Sequence, residues 1–352
     1  MQYRLFGQTG LRVSSLGFGC GAVGGLLVRG DYAEMVRTVA RAVELGVNYF
    51  DTAAIYGNGR SEMNLGRVLA ELRLDVLVGT KVMIREEELD DIAGAVIRSV
   101  ERSLGRLGRE RVDLLQLHNP LASAPQPGRS SLTADALAAV SEAFERLREQ
   151  GKTRFWGING IGETAALHAA VGASRAQTIQ CCYNLINPSA GAALSPGFPF
   201  QDYDRLIDRA AGQGMGVIAI RVLAGGALSG SAERHANAAA AVDPIASGRD
   251  YAEDVAHARR FACLAAEGHA ESLVEAAIRF AIGKPEISTV LVGISDGEQL
   301  EQAARFAGRG PLGAEAQARV SALWASASAS SHPQERPRKR SGGRSGRGAN
   351  PD

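Results

Sequence analysis

Short apolar runs alternate with polar turns and longer amphipathic stretches along most of the chain. The runs at residues 15–20, 47–51, 75–80, 112–117, 154–158, 178–180, 216–220 and 289–292 predict eight strands. They are continuously apolar rather than alternating, the pattern of strands buried on both faces of a parallel sheet. Between them, residues 33–45, 89–107, 133–149 and 203–213 carry helical periodicity. Gly46, Gly151 and Gly214 follow three of these stretches, where a helix C-cap favours glycine.

Eight strand–helix units is the count of a closed (β/α)8 barrel. A doubly wound sheet is the competitor, but Gly17-Phe18-Gly19-Cys20-Gly21 lacks the G-x-G-x-x-G spacing of a dinucleotide fingerprint. Ahead of the first strand, residues 3–6 and 11–13 flank Gly7-Gln8-Thr9-Gly10 and predict a β-hairpin able to plug the barrel floor. Two connections are long, 119–132 and 223–254, and in a barrel both fall on the C-terminal face where ligand sites form. Residues 1–330 are thus expected to form one α/β barrel. Residues 331–352, rich in Pro, Gly, Ser and Arg, are expected to be a disordered tail.

Charge adds little to this picture. Lys and Arg number 39 and Asp and Glu 38, a net charge of +1, so no overall field recruits nucleic acid or membrane. The tail holds six basic and two acidic residues, making it +4 and the body −3. Its basic run could touch RNA or an anionic lipid; a solubilising tail is the plainer reading. The four cysteines form no C-x-x-C pair, which fits a reduced setting better than a disulfide framework or a zinc site. Vicinal Cys181 and Cys182 read either as a redox pair or, more simply, as small hydrophobes on a buried strand. No apolar stretch approaches the ~20 residues of a membrane span, and the N-terminus carries no signal pattern. A cytoplasmic protein is expected, with no metal; the oligomeric state is not legible.

Candidate chemistry stands at the ends of strands two to four. Asp51 closes N-Y-F-D, Tyr56 follows in D-T-A-A-I-Y-G, Lys81 ends V-G-T-K, and His118 ends L-L-Q-L-H. Residues at strand C-termini of a barrel converge on one opening. An ammonium beside a phenol stabilises the phenolate, so Lys81 is expected to lower the pKa of Tyr56, with Asp51 holding Lys81 in place. Tyr56 could then pass a proton to a carbonyl oxygen, and His118 could orient the substrate. The hydride must come from a cofactor. Taken singly, each residue has an ordinary reading: a helix cap, a loop aromatic, a core histidine.

These motifs, with S-E-M-N-L-G at residues 61–66, G-K-T-R-F-W-G-I at 151–158, Q-C-C-Y-N at 180–184 and V-G-I-S-D-G-E-Q-L-E at 292–301, resemble the aldo-keto reductase superfamily from about residue 3 to about residue 307. The resemblance implies a barrel binding NAD(P)H across its C-terminal mouth and the tetrad Asp51, Tyr56, Lys81 and His118. It implies contacts of Asn159 and Gln180 with the nicotinamide carboxamide, Gly21 and Asp51 also facing the cofactor. The usual aromatic after strand seven is replaced by Ile220-Arg221-Val222-Leu223, so Arg221 is placed over the ring or toward the diphosphate. Leu223 and Gly225 are placed beside the phosphates. After strand eight come Gly293, Ser295, Gln299 and Gln302 without the base that would pair a 2′-phosphate, and Asp296 would repel one it faced. The family leans to NADPH and this segment does not, so either NADPH or NADH is expected.

Three functions compete. The first is reduction of an aldehyde or ketone, or the reverse, in a pocket lined by Trp156, residues after His118 and the loop after Leu223. The second is a non-catalytic NAD(P)H-binding regulatory subunit. The third is a lyase or isomerase using Lys81 as a Schiff-base amine.

Overall fold

The computed structural model describes residues 1–128 and 130–330. An antiparallel hairpin, β1 (Tyr3–Leu5) and β2 (Arg12–Ser14), precedes a closed barrel of eight parallel strands. These are β3 (Leu16–Gly19), β4 (Tyr49–Asp51), β5 (Leu77–Val82), β6 (Val112–Leu117), β7 (Thr153–Gly160), β8 (Thr178–Cys182), β9 (Gly216–Ile220) and β10 (Ile287–Gly293). Each pairs with its neighbour in sequence, and β10 closes on β3 through Gly293 and Gly19. The expected strands coincide with these within about two residues, and the expected helices match Tyr32–Glu44, Ile92–Leu107, Ala134–Glu149 and, in part, Leu206–Gly212. Gly46, Gly151 and Gly214 take positive φ beyond three of those helices, as the sequence requires.

Both faces of the strands are buried, for two reasons. Outward residues such as Phe50, Val78, Leu115, Trp156, Ile158 and Ile179 pack under the helices in one continuous core. Inward residues fill the barrel in layers. The lowest is apolar: Phe6 from the hairpin turn meets Val13, Tyr49, Leu114, Ile218 and Leu291. Gln8 N–H donates to Gly214 O at 2.9 Å, pinning that turn beneath β9. The hairpin therefore closes the floor, as expected from the sequence.

The helix Ala314–Ser330 follows the last barrel helix, and Trp324 Nε1 donates to Leu185 O at 2.8 Å. The basic tail at 331–352 lies outside the described residues. Among the described residues no helix is long and apolar enough to cross a membrane, and no group of His, Cys, Asp and Glu could hold a metal ion.

Candidate active site

Strand parity decides what faces the opening. On β4, Tyr49 and Asp51 share a face; on β5, Gly79 and Lys81; on β6, Gln116 and His118 lie two residues apart. Register brings Asp51 beside Gly79 and Lys81 beside Gln116. The polar layer capping the barrel interior is thus set by the same alternation that builds the core.

In this layer Lys81 is buried, and its Nζ pairs with Asp51 Oδ1. The same ammonium donates to Thr52 O at 2.8 Å and to the Tyr56 hydroxyl at 3.3 Å. Burial works against the charged amine, but Asp51 and Tyr56 outweigh it, and the Lys81 pKa lies above its ordinary value. All three of its protons have partners, so it is a bound ammonium rather than a free amine.

Tyr56 sits on the turn after β4, partly buried, with its ring edge-on to His118 at 5.6 Å between centroids and Gly21 against its face. Here the sequence expectation needs correction. Burial pushes the Tyr56 pKa up, and the opposing pull of Lys81 does not overcome it. The ammonium already serves Asp51, so its field at the phenol is partly cancelled. Tyr56 therefore stays protonated through neutral pH, the state a proton donor requires. His118 is driven the other way: burial, helped by Lys81, lowers its pKa to about 3 and leaves it neutral. Among the described residues its Nδ1 is buried without a partner, as is Asn159 Oδ1. Two polar atoms left open at one barrel end fit the carboxamide and carbonyl groups expected there.

Gln180 does more than expected. Its Nε2 donates to Asp51 Oδ2 at 2.7 Å, and the Tyr49 hydroxyl donates to the same oxygen at 3.0 Å. Asp51 thus accepts from three side chains on β4, β5 and β8. Asn159 lies beside Gln180 in register and donates from Nδ2 to His118 O at 2.8 Å.

Around the rim, Arg221 holds a left-handed backbone (φ 56°) and donates from Nη1 to Asp243 O at 3.0 Å. Among the described residues it forms no ion pair, and burial lowers its pKa. Leu223 packs on the core, and Gly225 and Gly226 both take positive φ, Gly225 O accepting from Arg234 Nη1 at 2.9 Å. Gly293 ends β10 and Ser295 Oγ donates to Gly24 O at 2.8 Å. The Ser295 N–H donates to Gln299 Oε1 at 3.1 Å, while Gln302 points elsewhere, to Glu298. Asp296 caps the helix Gly297–Gly308 through the Gln299 N–H at 2.8 Å and meets His235 Nε2 at 3.2 Å. Its charge is committed to these partners.

One expected pocket residue is elsewhere. Trp156 packs outside the barrel against Phe144 at 5.7 Å and donates to Glu145 at 2.7 Å. Asn159 faces inward, so Trp156, three residues earlier, must face out. Sequence reading also missed Tyr49 and Glu62. The latter, in S-E-M-N-L-G, is buried and accepts from Thr80 at 2.5 Å and Arg106 at 2.6 Å, a strut tying the helix Arg60–Leu72 to β5 and to the helix Ile92–Leu107. The cysteines are all free, and burial raises the pKa of Cys181 and Cys182, the latter to about 12, which fits the hydrophobic reading.

A barrel with an Asp–Lys–Tyr chain at its open end accords with the comparisons to known proteins. The model of the aldo/keto reductase family matches residues 15–325. The chain belongs to that family. Aldo/keto reductases are oxidoreductases that bind NAD(P)H. L-galactose dehydrogenase of Arabidopsis thaliana is 29% identical over 311 residues, 86% of each chain. A putative voltage-gated potassium channel subunit beta of Schizosaccharomyces pombe is 32% identical over 200 residues, covering 53% of this chain and 52% of that one. Among solved structures, the holo form of an aldo-keto reductase from Bacillus halodurans superposes with a TM-score of 0.67 at 24% identity, covering 92% of this chain and 96% of that chain.

Proposed function

We propose that this aldo/keto reductase reduces an aldehyde or ketone with NAD(P)H, or runs the reverse reaction, with Tyr56 supplying the proton. The observation that carries the reading is the Lys81 ammonium, fixed by buried Asp51 and 3.3 Å from the Tyr56 hydroxyl. Tyr56 is protonated at neutral pH and open to the barrel mouth. As negative charge develops on a carbonyl oxygen there, the phenol donates, and Lys81 stabilises the phenolate left behind. Neutral His118 can donate through its ring N–H to the same oxygen and orient it.

When bound, the nicotinamide supplies the hydride that no side chain can. Asn159 and Gln180 would hold its carboxamide; Arg221, Leu223 and Gly225 its diphosphate. Gly21, Gly293, Ser295 and Gln299 would flank the adenosine half, with Gln302 at its edge. With Asp296 engaged by a helix end and His235, its repulsion of a 2′-phosphate is blunted, and the family lean to NADPH stands narrowly over NADH.

Saturation of Lys81 argues against a Schiff-base lyase. A regulatory NAD(P)H-binding role is favoured by one finding, the similarity to putative or probable potassium channel β subunits over 36% to 53% of the chain. Titration of the purified protein with NADPH and NADH, followed by nucleotide fluorescence, and then a panel of carbonyl compounds tests the reading. Tight binding with turnover supports the reductase; binding without turnover of any carbonyl supports the regulatory role. Failure of both nucleotides to bind at millimolar concentration would overturn both.

A further inference from the structure

Most of the polar layer is what a proton donor and its cofactor need, but one member lies below it. Tyr49 is wholly buried inside the barrel, one layer beneath the opening, and cannot reach substrate. Its hydroxyl donates to Asp51 Oδ2 at 3.0 Å, the oxygen that Gln180 also donates to. The barrel makes room for it. A methyl at Gly79, directly beside Asp51 in register, would stand 2.5 Å from the Tyr49 hydroxyl, and one at Gly17 would stand 3.2 Å from its ring. Phe6 meets the ring edge-on from below, 5.8 Å between centroids. The phenol is thus held between two glycines and a phenylalanine with its donor aimed at one carboxylate oxygen. A phenylalanine would fill the same space; only the hydrogen bond calls for tyrosine.

We propose that Tyr49 is a positioning residue that fixes and partly neutralises Asp51, and so sets how strongly Lys81 supports the phenolate of Tyr56. The inference rests on the proton-donor reading of Tyr56. Each donor on Asp51 lowers its hold on the Lys81 proton and leaves more of that ammonium's field for Tyr56. With Tyr49 removed, Asp51 draws harder on Lys81, and the phenolate loses support. The Tyr49 hydroxyl keeps its proton throughout, since burial and the Asp51 charge both raise its pKa. The charged and titratable groups facing this chain are few. Lys81, Asp51 and Arg221 act on Tyr56, with His118 against its ring; Asp51, Cys20 and Asp113 act on Tyr49.

The test is Tyr49→Phe, which keeps the ring and its packing. Ionisation of Tyr56 is read without cofactor or substrate as the tyrosinate ultraviolet difference between wild type and Tyr56→Phe. The same difference is then taken in the Tyr49→Phe background. We expect the Tyr56 midpoint to move up by about 0.5–1 pH unit, since roughly half the worth of one hydrogen bond to the Asp51 carboxylate is felt at the neighbouring phenol. The alkaline limb of kcat/KM should move with it, with NAD(P)H affinity within about twofold of wild type. An unchanged midpoint in a folded Tyr49→Phe protein overturns the proposal. An enzyme without turnover but with the shifted midpoint would overturn the reductase reading and leave the coupling intact. If Tyr49→Phe perturbs the fold, Gly79→Ala supplies the second route: it displaces the phenol from the other side and should raise the same midpoint.

Discussion

Gln180 Nε2 and Asp51 Oδ2 lie 2.7 Å apart across the barrel, so a side chain expected to face the cofactor also braces the carboxylate that pairs with Lys81. On the proposed reading, cofactor contact and proton donation would be joined through one amide. Its nitrogen serves Asp51, and its carbonyl oxygen would be the atom to accept from the carboxamide. Gln180→Glu replaces that donor with an acceptor beside a buried carboxylate, and the two would repel. Turnover should fall by at least ~10-fold at neutral pH and recover in part under acid conditions, where one of the pair takes a proton. A pH-independent deficit would mean that the bond to Asp51 is incidental.

Tyr56→Phe deletes the donor and leaves its ring in place. Turnover should drop by ~100-fold or more, the lower range for general acid catalysis, with NAD(P)H affinity nearly unchanged. Steady-state kinetics beside a fluorescence titration checks this, and equal turnover would remove Tyr56 from the mechanism.

The buried Lys81–Asp51 pair makes a stability prediction. Lys81→Met strands the Asp51 carboxylate and should cost about 3–5 kcal/mol in denaturant unfolding. Adding Asp51→Asn to that variant removes the orphaned charge and should restore much of the loss without restoring turnover. A double variant no more stable than the single would show that packing, not charge, sets the cost.

His118 gives a pH dependence whose sign is fixed. Its folded pKa, about 3, is depressed below the ordinary histidine value of about 6.5. Between those values the unfolded chain binds the extra proton, so stability present above the upper value is lost progressively as pH falls toward the lower one, by at most about 1.4 kcal/mol per pH unit. His118→Asn should flatten that decline between pH 6 and pH 4 (about the window named) in urea titrations. The wild-type slope persisting in the variant would place its origin in another group.

Gly79→Ala tests the crowding around Tyr49. A methyl 2.5 Å from the hydroxyl forces a shift, and overpacking of this kind costs about 1–3 kcal/mol. Tyr49→Phe in the same background removes the atom closest to the methyl and should recover part of the loss, read as the difference in urea midpoints.

How much of this was legible in the sequence follows from range. Strands and caps are local, and the runs around Val112–Leu117 and Gly216–Ile220 predict the observed strands end for end. The meeting of Asp51, Tyr56, Lys81 and His118 was legible because strand ends in a barrel converge whatever the details. Trp156 was misplaced although parity with Asn159, available from the sequence, already sends it outward. The bonds of Tyr49 and Gln180 to Asp51 depend on which side chains meet inside a closed sheet, and Gln180 is 129 residues away from Asp51. The pKa direction at Tyr56 was out of reach for a different reason. It is a contest between burial and a charge, and burial is a property of the finished structure.

The floor packed by Phe6 makes the barrel a well lined with apolar side chains at its base. On the proton-donor reading, a proton given up by Tyr56 would be replaced from the mouth side, the side on which substrate and product would pass. Recovery of the phenol would then share one door with the traffic of ligands.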